Sequence, residues 1–373
     1  MKSSETEQSG ATAGATAGIW RAIDASANRA GEALRVVEDV VRFALDDARL
    51  TTLAKELRHA LATLLSQGDL PYRVRLRDVA SDVGIGVEPP VSLRRASPAD
   101  LIAANAARAS QALRSLAECA AVVAPEATAG FEQIRYRLYT LERDAIAAAR
   151  SRDRLSGVNL CVLVDGCDNL AAFDRLVETL VEAGVRMLQI RDKGLSVPSL
   201  AVRVAHALAI TKRHAAPAQT TVKPTIVIVN DRADVAAAVG ADGVHTGADD
   251  LPTRLVRRVI GPQPLVGRTA HDLAEAHAAA ADGADYLGIG PCFSSSTKSF
   301  AGYASETFLQ AVVREISLPA FAIGGITLDR LDALAALGIT RVAVASAVTS
   351  AADPAAAAAA IIARLTQPQP ANG

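Results

Sequence analysis

Two different hydrophobic periods divide this chain near residue 150. Before that point, apolar residues recur every three or four positions, which predicts amphipathic helices. The first predicted helix carries Ile23, Ala27, Ala30, Leu34, Val37 and Val41. The second carries Leu53, Leu57, Leu61 and Leu64. An irregular stretch rich in Gly, Pro and Arg follows between residues 71 and 98, and helical spacing resumes from Leu101 to Leu141.

After Arg154, short β-rich runs alternate with amphipathic helical segments. The predicted strands are Leu160–Val164, Met187–Arg191, Thr225–Asn230, Gly243–His245, Leu265–Thr269, Tyr286–Gly290, Ala320–Ile323 and Arg341–Val344. Eight strand–helix units predict an α/β fold with a parallel sheet. An open, doubly wound sheet is the alternative, but eight evenly spaced units favour a closed (β/α)8 TIM barrel.

The helical part contains an internal repeat. The run Glu32-Ala33-Leu34-Arg35 returns as Gln111-Ala112-Leu113-Arg114, 79 positions later. The next helix repeats as well, since Glu56-Leu57-Arg58-His59 matches Gln133-Ile134-Arg135-Tyr136 at an offset of 77. The sequence therefore predicts an all-α N-terminal domain built from a duplicated helical hairpin.

These patterns set the expected boundaries. Residues 1–18 are small and polar, without the apolar core of a signal peptide, so we expect a disordered tail. Residues 19–150 are expected to form the helical domain, and residues 151–373 the barrel.

Composition narrows the classes of protein that remain. A net charge of −1 gives no electrostatic case for nucleic-acid binding. Apolar runs are too short to span a bilayer, so no membrane association is expected. The four cysteines form no CxxC pair, and reduced thiols in a cytoplasmic protein are the simplest interpretation.

Polar residues stand at the predicted carboxyl ends of the strands, where barrels carry their chemistry. At the second strand, alternation puts Gln189, Arg191 and Lys193 on one side. Two cations and an amide would suit a diphosphate, although a solvated strand end with ion pairs explains them equally well.

The third and fourth strands end in carboxylates. Asp231 follows the third, and Asp249 and Asp250 follow the fourth, so one rim would carry oxygen ligands for Mg²⁺. Asp250 could instead cap the next helix, since Leu251 and Pro252 follow it. For His245, a packed position at the rim is preferred over metal ligation.

The last strands supply candidate phosphate sites. The loop from Cys292 to Lys298 offers hydroxyls and an ammonium group, unless it is simply a polar loop. Gly324, Gly325, Ala345 and Ser346 follow the seventh and eighth strands, where barrels commonly bind phosphate and where glycines also form tight turns. Because no Ser-His-Asp order or convincing nucleophilic Cys appears, the pattern favours metal-assisted departure of diphosphate over covalent catalysis.

Taken together, these motifs resemble the thiamine-phosphate synthase family, in its order and over nearly the whole barrel. They are Gln189-Ile190-Arg191-Asp192-Lys193, Asn230-Asp231-Arg232, Gly243-Val244-His245, Asp250-Leu251-Pro252, Asp285 to Pro291, Thr297-Lys298 and Ala322 to Ile326. That family joins a hydroxymethylpyrimidine diphosphate to a thiazole phosphate. Diphosphate leaves first, and the thiazole nitrogen then attacks the pyrimidine methylene cation.

The resemblance implies a role for each matching residue. Catalytic roles fall on Lys298, Arg191 and Lys193, and Mg²⁺ on Asp231 and Asp250. The implied contacts with the pyrimidine diphosphate are Gln189, Ile190, Arg191, Asp192, Lys193, Asn230, Thr269 and Lys298. The implied contacts with the thiazole phosphate are Ser295, Ser296, Thr297, Gly324, Gly325, Ala345 and Ser346. The family usually has Ser where Thr269 stands, so the hydroxyl survives this difference.

The N-terminal part resembles a helical hydroxymethylpyrimidine-phosphate kinase that is often fused ahead of the synthase. The likeness rests on Asn28-Arg29, Glu32, Arg35, Glu38-Asp39, Lys55 to His59, Arg77-Asp78, Asp82 to Gly84, Asn105, Arg114 and Arg135 to Tyr139. It implies ATP as co-substrate. A P-loop kinase is excluded because the GxxxxGK[ST] pattern is absent. Spacing alone favours ion pairs along helices, such as Glu38 with Arg42, over phosphate binding by the repeated arginines.

Three alternatives remain open. The helical domain could be only an oligomerisation or docking module. The barrel could be a related thiazole tautomerase, or a precursor-binding protein without activity. The expected partners are small phosphorylated pyrimidine and thiazole compounds, with no nucleic acid and no membrane, and a homo-oligomer is an expected assembly.

Overall fold

The computed structural model describes residues 2–77, 95–215, 223–247, 250–294 and 302–367, with side chains from residue 16 onward. The chain divides into two compact units, Met1–Arg150 and Ser151–Gly373. Each unit has its own hydrophobic core.

The first unit is helical. Its elements are α1 (Lys2–Asp39), a π-helical turn (Val40–Ala44), α2 (Ala48–Leu64), a 3₁₀ segment (Leu70–Leu76), α3 (Pro98–Val123) and the greater part of α4 (Thr128–Arg154). The Asp47 side chain caps α2 by accepting from the Leu50 amide at 2.9 Å. Ser97 caps α3 by accepting from Asp100, with Pro98 in the first turn. The pairs α1–α2 and α3–α4 are the two hairpins that the repeat predicts.

Helix α1 begins at Lys2, so residues 2–18, predicted above as a disordered tail, are helical. The physical reason lies in how helices extend. Buried residues such as Trp20 and Ile23 hold α1 from its middle onward. Adding residues to an existing helix costs far less than nucleating one, and the alanines of this stretch have the highest helix propensity.

The second unit is a closed barrel of eight parallel strands in sequential order, so the predicted fold class is confirmed. The strands are β1 (Leu160–Val164), β2 (Met187–Ile190), β3 (Ile226–Asn230), β4 (Gly243–Thr246), β5 (Leu265–Ala270), β6 (Tyr286–Ile289), β7 (Ala320–Ile323) and β8 (Val342–Val344). Closure is completed by pairing of β1 with both β2 and β8.

Helices cover the outside of this barrel. They are α5 (Leu170–Glu182), α6 (Val197–Arg213), α7 (Ala233–Val239), α8 (Thr253–Ile260), α9 (Leu273–Ala281), α10 (Glu306–Glu315), α11 (Leu331–Ala336), α12 (Ser346–Thr349) and α13 (Pro354–Thr366). Alternation along the strands creates two cores. Met187, Ile228 and Phe321 belong to the inner core, whereas Leu188 and Val227 pack against the helices.

Asp285, part of the motif singled out from the sequence, has a structural position at the start of β6. Its carboxylate is buried and accepts from the Val266 amide at 2.6 Å. Ser151 and Arg257 also donate to it. The residue therefore ties the amino-terminal end of the barrel together, opposite the end where the reacting groups are expected.

Among the described residues, no helix is both long enough and apolar enough to cross a membrane.

Candidate active site

The cations of the β2 end lie beside carboxylates from the neighbouring strands. Lys193 Nζ is 3.4 Å from Asp231 Oδ2. Arg191 Nη1 is 3.9 Å from Asp165 Oδ2, which follows β1. Gln189 is almost fully buried, in register with Leu163 and Ile228. The structure therefore brings three predicted residues to the carboxyl-terminal end of the barrel.

Ile190 and Asp192, which alternate with these three residues, lie on the outer side of the strand. Ile190 is buried in the core between the sheet and the helices. Asp192 accepts from Arg203 of α6 at 2.8 Å and from the Gly194 amide at 3.1 Å. Alternation thus turns both side chains away from the barrel interior, and the substrate contacts implied for Ile190 and Asp192 stay a prediction.

Asp231 and Asp250 form a carboxylate pair. Burial and the adjacent Asp250 raise the pKa of Asp231, and Lys193 only partly opposes them. Asp231 has a left-handed backbone with φ of 61°, and its amide donates to the His245 carbonyl at 2.8 Å. The β3–β4 pairing thus holds this side chain at the rim.

Asp250 does not cap the following helix. Its Oδ2 accepts from the Gly247 amide at 2.8 Å, and α8 begins after Pro252 without a side-chain cap. The N-cap interpretation is therefore wrong, and this carboxylate closes its own turn beside Asp231. Asp249 lies outside the described residues.

His245 packs inside the barrel below the rim, as preferred from the sequence. Its Nδ1 is 3.3 Å from the Tyr286 hydroxyl and its Nε2 is 3.0 Å from Thr269 Oγ1. Burial, with a smaller effect of Arg268, lowers the pKa of His245 to about 4. A neutral imidazole therefore fixes the orientation of the Thr269 hydroxyl, the predicted contact for the pyrimidine substrate.

Glycine makes this packing feasible. A Cβ on Gly267 would lie 2.4 Å from His245 Nδ1, and one on Gly288 would lie 3.1 Å from His245 Cε1. Sequence reasoning missed this layer, although strand alternation places Gly267, Thr269 and Tyr286 on inward positions and could have indicated it.

The segment after β6 lies directly on the β7 loop. Phe293 donates its amide to the Gly324 carbonyl at 3.0 Å. Gly324 and Gly325 have φ of 96° and 63°. A Cβ on Gly324 would lie 2.7 Å from Pro291 Cβ, and one on Gly325 would lie 2.2 Å from the Ser294 carbonyl oxygen. Both glycines are thus required by the close approach of the two backbones, whatever ligand they also contact.

Arg330 is a cation at this end of the barrel that sequence reasoning missed. Its guanidinium lies 5.0 Å from the centre of the Phe293 ring and donates to the carbonyls of Ser294 and Gly325. Arg330 follows β7 in the chain by only a few residues, and this position could have indicated a cation at this end of the barrel. Ser295, Ser296, Thr297 and Lys298 lie outside the described residues.

The remaining predicted residues end their strands as expected. Asn230 closes β3 in register with His245, and Ser346 begins α12 directly after β8. The Ala345 carbonyl accepts from the Val348 amide at 2.9 Å. Among the described parts of the chain, no group of three or more His, Cys, Asp or Glu side chains that could hold a metal ion is found.

In the helical unit, the repeated arginines form ion pairs. Arg58 Nε is 2.6 Å from Glu38 Oε2, and Arg35 Nε is 3.3 Å from Asp39 Oδ1. Glu38 thus pairs with the next helix, where spacing had suggested Arg42.

The second hairpin repeats this arrangement. Arg114 Nη1 is 3.4 Å from Glu132 Oε1, and Arg135 pairs with the same carboxylate. The ion-pair interpretation therefore describes these arginines. Asp78 and Asp82 lie outside the described residues.

Comparisons with known proteins cover both units. A family model described as thiamine monophosphate synthase matches residues 160–348, and one described as the ThiD2 family matches residues 21–144. A thiamine-phosphate synthase from Prochlorococcus marinus (strain MIT 9313) is 38% identical over 343 residues, which is 91% of this chain and 94% of that protein. One from Rhodopirellula baltica is 38% identical over 339 residues, 88% of each chain. The solved structure of thiamine phosphate pyrophosphorylase from Pyrococcus furiosus is 28% identical over 57% of this chain and 98% of that chain, with a TM-score of 0.49.

Proposed function

The chain belongs to the thiamine-phosphate synthase family, and on this premise we propose how its two units make thiamine phosphate. The barrel is a transferase that joins a hydroxymethylpyrimidine diphosphate to a thiazole phosphate and releases diphosphate. The observation that carries the proposed residue roles is the Asp231–Asp250 carboxylate pair beside Lys193, at the carboxyl-terminal end of the barrel.

The carboxylate pair fits Mg²⁺. Burial and, after it, the adjacent Asp250 carboxylate raise the pKa of Asp231, and a divalent cation would relieve the repulsion between the two carboxylates. Carboxylate oxygens are also the ligands that Mg²⁺ prefers. Bound there, Mg²⁺ would offset negative charge on a diphosphate leaving group. Asp231 and Asp250 are the residues that would hold it.

The surrounding side chains bind and orient the substrates in this proposal. Arg191 and Lys193 bind the diphosphate oxygens, and Gln189 donates to the same substrate. Thr269, oriented by the neutral His245, contacts the pyrimidine ring. Lys298 is proposed as a further cation at the diphosphate.

Covalent catalysis by cysteine is disfavoured by the thiols of the barrel. Burial raises the pKa of Cys161 to about 12, that of Cys292 to about 11 and that of Cys167 above its usual value, so none of the three thiols is activated as a thiolate. As the family resemblance implies, the proposed reaction breaks the bond from methylene carbon to diphosphate oxygen first. The thiazole nitrogen then donates its electron pair to that carbon.

The helical unit is proposed to supply the diphosphate. It would transfer the γ-phosphoryl group of ATP to a phosphate oxygen of the pyrimidine monophosphate and leave ADP. The ThiD2 family match and the residues that resemble the fused kinase support this activity. In one alternative function, the helical unit is only a docking module. In the others, the barrel is a thiazole tautomerase or a binding protein without activity.

One coupled assay separates these functions. The purified full chain is given pyrimidine monophosphate, ATP, Mg²⁺ and thiazole phosphate, and thiamine phosphate is measured. Product from the monophosphate supports both activities, and product only from the diphosphate removes the kinase. The absence of product from either substrate would overturn the synthase role.

Two variants test the proposed diphosphate contacts. Arg191→Gln and Lys193→Gln should each raise the KM for pyrimidine diphosphate about tenfold, as expected for loss of one charge-assisted contact. Arg213→Gln is the matched control, because Arg213 is an exposed arginine of α6 that pairs with Glu178. An unchanged KM in both variants would contradict these roles.

We also propose a cytoplasmic location, which the four unpaired cysteines support. The homo-oligomer expected from the sequence stays a prediction, and sedimentation of the purified chain measures it.

A further inference from the structure

A cavity of about 580 Å³ lies between α1 and α3 of the helical unit. Its lining comes equally from the two repeats. The residues from α1 are Ser26, Arg29, Glu32, Ala33 and Val36, and those from α3 are Asn105, Arg108, Gln111, Ala112 and Ser115. Each α1 residue has its counterpart one repeat later on α3, at the offset of 79. The cavity is therefore built from equivalent positions of the duplicated hairpins.

Burial follows the same symmetry. The deepest positions, Ser26 and Asn105, are both buried, and so are the small Ala33 and Ala112. The charged and amide side chains around the opening are exposed in both repeats. Ser26 donates to Ser115 at 3.1 Å and so joins α1 to α3 inside the cavity.

Arg29 and Arg108 indicate the charge of the ligand that the cavity would bind. The other repeated arginines of these helices, Arg35 and Arg114, are paired with carboxylates. Within the described part of the chain, neither Arg29 nor Arg108 has an ion pair. Two like charges that share a cavity without a paired carboxylate favour an anionic ligand.

The repeats differ where a ligand needs to be oriented. Glu32 faces the cavity from α1, whereas its counterpart on α3 is the neutral Gln111. The Glu32 carboxylate therefore accepts a hydrogen bond from a ligand, whereas the Gln111 amide can either donate or accept one. The two arginines and one glutamate leave a formal charge of +1, which suits a phosphate monoester of about −1.5 to −2 better than a triphosphate.

We propose that this cavity binds the pyrimidine monophosphate, with Arg29 and Arg108 on its phosphate and Glu32 on a donor group of its ring. The proposal rests on the kinase function proposed above and names the site of its acceptor substrate. The volume lies within the usual range for small-molecule pockets, about 300–1,000 Å³. ATP then binds elsewhere in the chain.

The test is calorimetric titration of the full chain with pyrimidine monophosphate. The double variant Arg29→Gln, Arg108→Gln should weaken binding at least tenfold, since each lost charge-assisted contact accounts for about that factor. Arg42→Gln is the matched control, because Arg42 is an exposed arginine of the same unit outside the cavity lining. Both are surface changes, and because the helical unit has its own core, its helix content and thermal unfolding, followed by circular dichroism, report whether each variant is folded.

Two further measurements separate this site from the barrel and from ATP. Asp231→Asn alters the barrel and should leave pyrimidine monophosphate binding unchanged. A non-hydrolysable ATP analogue should not displace the monophosphate. Binding by the wild-type chain that the double variant loses supports the cavity even when no ADP is formed, and in that case only the kinase function fails. Absence of binding, equal binding by the double variant, or displacement by the ATP analogue overturns the assignment.

Discussion

Replacing Asp231 should separate its two functions, one electrostatic and one conformational. Asp231→Asn removes a carboxylate but keeps a residue type that tolerates left-handed backbone. Asp231→Ala removes the carboxylate and also forces a Cβ-bearing side chain without a polar group to hold φ of 61°. Both variants should lose synthase activity, because one half of the proposed Mg²⁺ site is gone.

Their stabilities should differ by the cost of the backbone. A non-glycine residue in the left-handed region costs roughly 1–2 kcal/mol, and Asn recovers part of this. We therefore expect Asp231→Ala to be about 1 kcal/mol less stable than Asp231→Asn. For a domain of this size that corresponds to roughly 2–4 °C in Tm.

The pH dependence has a definite sign. Burial and Asp250 raise the folded-state pKa of Asp231 above 3.8. Its contribution to stability is thus fully present below that ordinary value and is lost as the pH rises through the raised pKa. Without Mg²⁺, stability should therefore shift in favour of Asp231→Asn, relative to the wild type, as the pH rises from about 3.8 toward neutrality.

Thermal unfolding in EDTA across this pH range and synthase assays at varied Mg²⁺ concentration measure these effects. Addition of Mg²⁺ should raise the Tm of the wild type and leave that of Asp231→Asn unchanged. Normal turnover in Asp231→Asn would refute the proposed metal site. Equal stability of the Asn and Ala variants would refute the argument from backbone strain.

Three other predictions concern residues that support the structure of the barrel around the site. The pKa of His245 in the folded protein is about 4, below its usual 6.5. The free energy of unfolding should therefore fall by on the order of 3 kcal/mol as the pH drops from about 6.5 to 4. NMR titration of the His245 ring should show no protonation near neutral pH. Gly325→Ala should be much less stable than Gly283→Ala in denaturant unfolding. Both have positive φ, but only at Gly325 would the Cβ meet a backbone oxygen, and equal losses would refute the steric argument. Asp285→Ala should cost roughly 3 kcal/mol, because the buried Val266 amide and the partly buried Arg257 guanidinium both lose their carboxylate partner, while the folded variant keeps its KM for both synthase substrates. A loss of stability below about 1 kcal/mol would contradict its structural role.

The sequence by itself determined the architecture, because local periodicity reports which residues face a core. Strand–helix alternation predicted all eight strands, and the repeat predicted two equivalent hairpins. Strand alternation also predicted that Gln189, Arg191 and Lys193 lie on one side. The position of Asp231 and Asp250 at one rim followed from strand order, since parallel strands end at the same edge.

Only the tertiary structure decided which side chains pair with one another. Asp192 lies in the predicted substrate motif, and only the fold shows that its carboxylate pairs with Arg203. Asp250 could have capped the next helix, but its carboxylate accepts from the Gly247 amide instead. The cavity between α1 and α3 likewise needs two helices that lie far apart in the chain. Periodicity assigns a face to each residue, but a pairing depends on side-chain distances across separate elements, and only the packed fold fixes those distances.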